Sequence, residues 1–217
     1  FVKVACGAAH CLALTIDGEL YAWGDDSSGQ CGLSPSLSPH HHPKFPPSAR
    51  RTRLHPMALT VPHHVPFDDG NDQGGVEGVA CGGSSSVCWD RQGRVWVAGS
   101  NAYGQLGLGD MGPTLRKVGT FRQIESLGSA VVQAAMGDHF MLLLTEDGAV
   151  YAAGSNAHGC IGPNTPLSDH RSVPAKIGPS SKTFQNTPIQ FIAAGAKHAF
   201  AIDSKQRLWA WGEGVLG

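Results

Sequence analysis

The sequence predicts an all-β protein built from repeated, small antiparallel sheets. The 217 residues include 29 glycines, and charged residues make up 15% of the chain. Few charges and many glycines favour sheets joined by tight turns over a helical or a charged, disordered chain. The apolar runs are about six residues long, which is too short for helices and suits strands.

A repeat is the strongest signal in the sequence. Four segments of equal length align between two glycines, and similarity at this level is typical of repeat architectures. The segments are Gly7–Gly24, Gly82–Gly99, Gly137–Gly154 and Gly195–Gly212. An internal glycine recurs as Gly18, Gly93 and Gly148, with Gln206 at that place in the fourth copy. We expect the eight bounding glycines to be structural.

Each repeat is predicted to form four strands. The segment itself consists of two apolar runs around a turn such as Asp17-Gly18, and Asp-Gly between apolar runs predicts a hairpin whose two turn positions both have positive φ. An apolar stretch precedes each segment, and a fourth strand is expected after it. The preceding stretches are residues 1–6, 76–81, 131–136 and 189–194, and the fourth strands are expected around 59–61, 115–118 and 173–177.

A four-stranded antiparallel sheet cannot bury both of its faces alone. Sheets that stack side by side around an axis bury them against one another, which is the arrangement of a β-propeller. The sequence therefore predicts a β-propeller of four-stranded antiparallel blades, with about four blades in residues 1–217.

The motifs of the repeat resemble those of the regulator-of-chromosome-condensation family. The pattern reads A-x-G-x-x-H, then x-D-G-x-V/L-Y/W-x-W-G, then N-x-x-G-Q-L-G, and it covers nearly the whole chain outside the long connections. The resemblance implies a ring of seven blades, so we expect further blades from the rest of the polypeptide. The histidine position holds His10 and His198, but Ser85 and Phe140 in the other copies. We expect these recurring histidines to make hydrogen bonds within their blades.

An insertion of residues 34–72 separates the first and second repeats. Residues 34–66 carry 8 of the 14 prolines and 6 of the 11 histidines, and no acidic residue. Proline removes backbone donors, so neither helix nor sheet interior is expected there. Two interpretations stay open: a tolerated surface loop, or an arm that docks a partner. In the second, Lys44, Arg50, Arg51 and Arg53 form the contact, with phosphate or RNA as possible ligands.

Three motifs in the sequence suggest ligands and fail on spacing or context. Histidines 40–42, 63 and 64 lie in a Pro-rich stretch without the spaced ligands of a zinc site. Residues 68–72 lack the spacing and the distal glutamate of a calcium loop. Residues 107–112 match G-x-G-x-x-G but lack the βαβ context of a dinucleotide site. We therefore predict no catalytic, cofactor-binding or metal-binding residues, and no enzyme.

The cysteines indicate an intracellular reducing compartment, either cytoplasm, nucleus or organelle matrix. None of the six forms a C-x-x-C pair, and in a chain of this length they are expected to be reduced thiols. Cys6 and Cys81 occupy equivalent positions before the opening glycine, and we expect both to be small core residues.

The function that the sequence predicts is a protein–protein interaction scaffold, as a module or subunit of a larger protein or assembly. A net charge of −1 does not favour general nucleic-acid binding, and the sequence has no apolar run long enough to predict a membrane helix. A propeller presents loops from many blades on two rigid faces. The alternative, implied by the resemblance, is a guanine-nucleotide exchange factor for a Ran-like small GTPase, but the loops match none of the residues needed to assign that activity.

Overall fold

The computed structural model describes residues 1–33, 58–66, 75–109, 116–125, 127–162, 165–177, 184 and 187–214. All of its regular elements are β-strands. Within these ranges, no helix has the length and the apolar character that a bilayer crossing needs.

Among the described residues, fifteen strands form four antiparallel sheets, which confirms the predicted propeller blades. The first blade contains β1 (Lys3–Cys6), β2 (His10–Leu14), β3 (Leu20–Asp25) and β4 (Ala58–Val65). The second contains β5 (Val76–Gly82), β6 (Ser85–Asp90), β7 (Val95–Ser100) and β8 (Lys117–Gln123). The third contains β9 (Val131–Met136), β10 (Phe140–Thr145), β11 (Val150–Ser155) and β12 (His170–Lys176). The fourth contains β13 (Ile189–Ala194), β14 (His198–Asp203) and β15 (Leu208–Gly212) among the described residues. In every blade the strands pair in chain order, so that each sheet is a simple meander.

The outermost strand of the first blade confirms the fourth strand expected around residues 59–61 and lies within the Pro/His-rich insertion. β4 runs from Ala58 to Val65, through Pro62, at the edge of the sheet, in keeping with the prediction that this part of the chain forms no sheet interior. The pairing of β3 with β4 shifts register between Ala22 and Gly24. A proline is tolerated here because β4 lies at the sheet edge and contains an irregularity, the two settings in which a strand accommodates proline. The remainder of the insertion lies outside the described residues.

The core lies between the blades rather than within any one of them. Three apolar clusters fill the spaces between the first and second, second and third, and third and fourth blades. β10 shows how one strand serves two of them, because successive side chains point to opposite faces of a sheet. Leu142 and Leu144 pack toward the fourth blade, whereas Met141 and Leu143 pack toward the second.

The hairpin between the second and third strands of each blade differs from its predicted geometry. In the first blade, Thr15 N donates to Glu19 O and Gly18 N donates to Thr15 O. The loop is therefore one residue longer than a two-residue Asp-Gly turn: a type I turn followed by a glycine bulge. Only the glycine needs positive φ, as at Gly18 (82°), while Asp17 does not adopt it. The prediction of two positive-φ positions was wrong.

Backbone hydrogen bonds fix the register of neighbouring blades at this hairpin. Gly18 O accepts from Val76 N at 3.1 Å, where Val76 begins the inner strand of the second blade. The same bond recurs between Val131 N and Gly93 O at 3.1 Å and between Ile189 N and Gly148 O at 2.9 Å. Because a Cβ at Gly18 would lie 2.7 Å from the Cα of Gly75, the recurring glycine also permits the close approach of the next blade.

Candidate protein-interaction face

The two ends of the blades differ in what they present. In a four-stranded meander, the first and third connections leave one end and the second connection leaves the other. We call the first end the loop face; it carries the turns at residues 7–9, 83–84, 137–139 and 195–197. The connections between the third and fourth strands, residues 26–57, 101–116 and 156–169, begin and end at this face. The opposite end, the turn face, carries the hairpin turns at residues 15–19, 91–94, 146–149 and 204–207.

Backbone hydrogen bonds link successive turns on the loop face. Ala8 N donates to Gly83 O at 3.0 Å, and Gly83 N donates to Gly137 O at 3.3 Å. The series continues from Asp138 N to Ala196 O at 2.9 Å. The loop face therefore has a rigid inner rim, on which side chains are held in fixed relative positions.

A polar side chain anchors the start of each long connection. Asp26 Oδ1 accepts from Cys31 N at 2.9 Å, and the two asparagines at equivalent positions accept from the backbone five residues later. These asparagines are Asn101, bound by Leu106 N, and Asn156, bound by Ile161 N, both at 3.0 Å. The bonded residues are buried in the cores between blades. The N-x-x-G-Q-L-G motif is therefore structural, and it holds the connection at its base.

The histidine position makes a contact that the sequence did not predict. His10 is buried, and its Nε2 lies 2.9 Å from Oγ of Ser86 in the second blade. Ser86 Oγ donates to the carbonyl of Gln30 at 2.6 Å, so its oxygen accepts from His10 and the ring carries its proton on Nε2. His10 thus joins two blades, and the prediction of a bond within its own blade was wrong.

Burial dominates the protonation of this histidine. Removal from water lowers the pKa of His10 to about 4, although the charge of Asp25 and a backbone hydrogen bond at Ser85 partly oppose the shift. A neutral ring suits the site because its Nδ1 is buried without a hydrogen-bond partner among the described residues. His198 differs: its exposed ring makes an edge-on contact with Phe200 in the same blade, with centroids 5.3 Å apart. Within the described part of the chain, its ring makes no hydrogen bond of the kind that was predicted.

The eight predicted structural glycines serve two purposes. At the opening position, a Cβ on Gly137 would overlap the ring of Phe140, and Gly7 and Gly195 meet the rings of His10 and His198 in the same way. Gly82 instead lies against the backbone of Gly137 in the next blade. The closing glycines adopt a positive φ, and they pack against the turn that precedes the second strand of the blade. Their values are 104° at Gly24, 107° at Gly99, 108° at Gly154 and 109° at Gly212.

Exposed side chains on the loop face cluster between blades. Tyr103, on the connection of the second blade, is 46% exposed, and its ring stacks on His139 of the third blade with centroids 4.4 Å apart. Farther along, Glu213 Oε2 of the fourth blade lies 3.2 Å from Lys197 Nζ and 3.3 Å from Nδ1 of His158 in the third. The aromatic group is of a kind that is enriched in protein interfaces, whereas lysine and glutamate belong to the polar rim of an interface.

Sequence reasoning missed Tyr103 and His139 because each occupies a variable position of the repeat. The signal that could have identified them is topological: a residue just before the G-Q-L-G motif and a residue in the next inner turn lie on the same face. The predicted contact residues Lys44, Arg50, Arg51 and Arg53 fall outside the described residues. Of the described residues that flank them, Leu33 packs against the core between the first two blades, and Ala58 begins β4 at the loop face.

The cysteine prediction is half correct. Cys81 packs against the core between the first two blades, and its Sγ lies 3.6 Å from the carbonyl oxygen of Ala5. Cys6 occupies the equivalent place in the first blade but is exposed, because no described residue covers that side of the blade as the first blade covers Cys81.

Two clefts lie on the turn face at equivalent positions. One of about 250 Å³ separates the hairpin around Gly93 from the entry to β9, and one of about 240 Å³ separates the hairpin around Gly148 from the entry to β13. They recur because each hairpin meets the following blade in the same geometry. Within the described ranges, no group of three or more His, Cys, Asp or Glu side chains is arranged to hold a metal ion.

Comparison with known proteins identifies the repeat. The model of the regulator of chromosome condensation (RCC1) repeat matches residues 17–89, 92–144 and 147–202. A second model of this repeat matches residues 1–30 and 131–160. The chain belongs to the regulator of chromosome condensation repeat family. The resemblance inferred from the motifs is thereby confirmed.

Relatives of this RCC1-repeat chain include two proteins of Arabidopsis thaliana. It is 30% identical over 213 residues to the RCC1 domain-containing protein RUG3, mitochondrial, covering 96% of this chain and 41% of RUG3. It is 27% identical over 250 residues to the ultraviolet-B receptor UVR8, covering 99% of this chain and 53% of UVR8. The chain thus spans about half the length of these relatives.

Solved structures show the same fold at lower identity. Human WBSCR16 superimposes with a TM-score of 0.77 at 23% identity, covering 100% of this chain and 48% of that one. Yeast RCC1 (Prp20), solved bound to Kap60, superimposes with a TM-score of 0.74 at 21% identity, covering 97% and 43%. At these sequence identities, the structural similarity establishes only that this chain shares the RCC1-type propeller fold.

Proposed function

We propose that this chain is a protein-docking module whose partner binds the loop face. One observation carries the proposal: the repeat keeps a constant length from its opening to its closing glycine, whereas its length varies most in the connections that leave the loop face. These span residues 26–57 in the first blade, 101–116 in the second and 156–169 in the third. Loops that vary on a rigid scaffold are the usual place for binding residues.

The exposed groups of the loop face supply plausible contact chemistry. Tyrosine contributes a large, rigid contact surface, and tyrosines are enriched among the residues that dominate binding energy. Tyr103 is already held by its stack on His139, so that little conformational entropy is lost when a partner covers it. The basic residues Lys44, Arg50, Arg51 and Arg53 on the first connection would add attraction for an acidic protein surface or a phosphate group.

The repeat itself provides a variant that tests the docking arm. Residues 34–57 are replaced by residues 109–116, the equivalent part of the second-blade connection, within the full chain. Affinity capture from source cells with the parent should return a stoichiometric protein partner, and the replacement should lose it while keeping the thermal unfolding midpoint of the parent. Equal capture by both proteins would exclude residues 34–57 from the contact, and a parent that captures nothing would oppose the docking function itself.

A guanine-nucleotide exchange activity is the second candidate. The structure of Prp20p from Saccharomyces cerevisiae was described together with its binding properties to Gsp1p and histones, and the fold is shared at a TM-score of 0.73 and 20% identity. If this chain acts similarly, catalytic amounts of the full chain should accelerate release of a fluorescent guanine nucleotide from a Ran-like GTPase. Unchanged release, measured alongside an active exchange factor, would eliminate this candidate and leave the docking proposal intact.

A further inference from the structure

We propose that the turn face is the contact surface of a homodimer, in which two copies of this chain meet with their hairpin tips opposed. This face is the opposite of the one in the docking proposal, so a dimer of this kind leaves both loop faces free. The proposal rests on the charges of the four hairpin turns, at residues 15–19, 91–94, 146–149 and 204–207. Their arrangement is complementary to itself, as an interface between identical copies requires.

The hairpin tips alternate in charge from one blade to the next. The first and third tips are acidic, whereas the second and fourth are basic. The exposed charged residues are Asp17 and Glu19 in the first tip, Arg91 in the second, Glu146 and Asp147 in the third, and Lys205 in the fourth. The turn face therefore presents a series of patches of alternating sign instead of one patch of a single sign.

Two kinds of hairpin produce this alternation. In the second blade, the carboxylate of buried Asp90 lies 2.6 Å from Nη2 of Arg94, so these two charges offset each other. The fourth blade repeats the pair with Asp203 and Arg207, at 2.7 Å. The exposed cation of each of these tips is therefore left over. In the first and third blades a threonine takes the place of the buried aspartate, and the acidic residues that follow have no arginine in their hairpin.

The ion pairs of the two central tips do not reverse the sign of their charge. Arg91 Nε lies 3.4 Å from Glu77 Oε2, and Glu77 Oε1 lies 3.9 Å from Lys3 Nζ. These three exposed groups together keep one positive charge at the second tip. At the third tip, Lys176 and Asp147 line the same cleft. Because this tip has two acidic residues, one lysine leaves it with a net negative charge.

The exposure of the central tips does not depend on the outer sides of the first and fourth blades. The second blade packs between the first and the third, and the third packs between the second and the fourth. Arg91, Gln92, Glu146 and Asp147 are all exposed although both neighbouring blades are present. These side chains are therefore available to a partner that approaches along the axis around which the blades are arranged.

Two copies that face each other bring opposite charges together. The blades of a second copy, turned to face the first, follow one another in the opposite direction. A two-fold axis between the second and third blades therefore places the second tip of one copy on the third tip of the other, and the first tip on the fourth. Every basic tip then faces an acidic tip, and each contact occurs twice. A two-fold axis through the second or third blade would oppose tips of like charge, so the charges also fix the register of the dimer.

Arg91 and Glu146 provide a charge exchange that the repeat already accommodates. The two residues occupy the same position, the first of their hairpin turns. Arg91→Glu gives the second hairpin the residue of the third, and Glu146→Arg gives the third hairpin the residue of the second. Each single variant brings like charges together across the interface. The double variant restores opposite charges with the polarity exchanged.

Sedimentation equilibrium of the full chain measures the dimer. We expect the parent to dimerise with a dissociation constant that rises with salt concentration, since salt screens exposed charges. Each single variant should raise the dissociation constant by about tenfold or more, because each reversed contact occurs twice in the dimer. The double variant should return it to within about threefold of the parent value. Asp169→Lys makes a charge change of equal size at an exposed residue of the loop face, and it should leave the dissociation constant unchanged.

Two results would overturn the proposal. One is a parent chain that stays monomeric at about 100 µM. The other is a dimer that both single variants leave unchanged, or that the double variant fails to restore. The thermal unfolding midpoint of each variant establishes that it is folded. Neither result affects the capture of a partner by the loop face, so the dimer and the docking function are tested separately.

Discussion

At the scale of single residues, the positions of the repeat motif predict structural roles, but the side chains at these positions also contact residues of the neighbouring repeat. The recurrence of the histidine position predicted a structural role, and His10 has one. Its partner could not be predicted, because Ser86 belongs to the next repeat and serine at that place carries no signal of its own. The opening glycines were identified from their spacing alone, whereas their reason, a ring packed over Gly137 or Gly7, required the structure.

The protonation of His10 predicts a pH dependence of stability. Its pKa of about 4 in the fold lies below the unfolded value of 6.5, so the unfolded chain binds the proton more tightly. The contribution of His10 to the free energy of unfolding is fully present above pH 6.5. As the pH falls toward 4, the free energy of unfolding decreases by on the order of 3 kcal/mol. Urea unfolding at pH 7 and pH 4 measures this loss.

The substitution His10→Phe isolates that contribution. Phenylalanine occupies the equivalent place in the third blade as Phe140, and Ser86 keeps its bond to Gln30. Between pH 7 and pH 4, we expect the free energy of unfolding of this variant to fall by about 3 kcal/mol less than that of the parent. His198→Phe, at an exposed ring, should behave like the parent. Equal pH dependence in all three proteins would contradict the account of His10.

The close packing of an aromatic ring over an opening glycine leads to a second prediction. In Gly137→Ala the new Cβ overlaps the ring of buried Phe140, and we expect a loss of about 1–3 kcal/mol in the free energy of unfolding. Gly119→Ala is the matched control, because a Cβ there meets no atom within 4 Å. Chemical denaturation of both variants should separate them clearly, and equal stabilities would refute the packing argument.

At the scale of elements, the sequence predicted the inner three strands of each blade closely and the outer strand poorly. The inner strands of the second and third blades have apolar side chains on both faces because they are covered by blades on either side. The outer strands are at sheet edges, with weaker apolar patterns, so that β8 ends five residues after its expected end and β12 begins three residues before its expected start. The hairpins were located correctly, but their loop length was not, because Asp-Gly occurs in both kinds of turn.

The turn of the fourth blade offers a stabilising substitution. Gln206 takes the place of the recurring glycine and adopts φ of 62°, a conformation that costs a residue with a side chain about 1–2 kcal/mol. We expect Gln206→Gly to raise the free energy of unfolding by about 0.5–1 kcal/mol, after the entropy cost of glycine is deducted.

The neighbouring residue provides the comparison for this substitution. Lys205 does not adopt a positive φ, so a glycine at this position relieves no backbone strain. Lys205→Gly should therefore be neutral or destabilising in the same thermal unfolding experiment. A Gln206→Gly variant less stable than the parent would show that the fourth turn does not share the geometry of the other three.

At the scale of the whole molecule, repeat spacing was sufficient to predict blades stacked around an axis. The sequence could not assign the loop face as the candidate binding surface, since the exposed pair of Tyr103 and His139 comes from two repeats. The chain topology places these two residues on the same face of the blades. That face could be assigned only once the order of the strands in each sheet was known. The basic residues at 44–53 were found from composition, and their role stays a prediction.

Tyr103 gives the docking proposal a single-residue test. We expect Tyr103→Ala to weaken binding of the captured partner by about tenfold or more, as for an aromatic residue at the centre of an interface. Ile16→Ala is the control, because Ile16 is an exposed apolar residue on the opposite, turn face. Surface plasmon resonance with the partner should show reduced affinity for the first variant and parental affinity for the second.

Hydrogen–deuterium exchange of the full chain, with and without its bound partner, tests most directly whether the loop face is the docking surface. The docking account predicts slower exchange on binding at residues 101–109, 137–139 and 156–162, and unchanged exchange at the hairpin turns 91–94 and 146–149. Protection confined to those hairpin turns, with the loop-face segments unaffected, would contradict it.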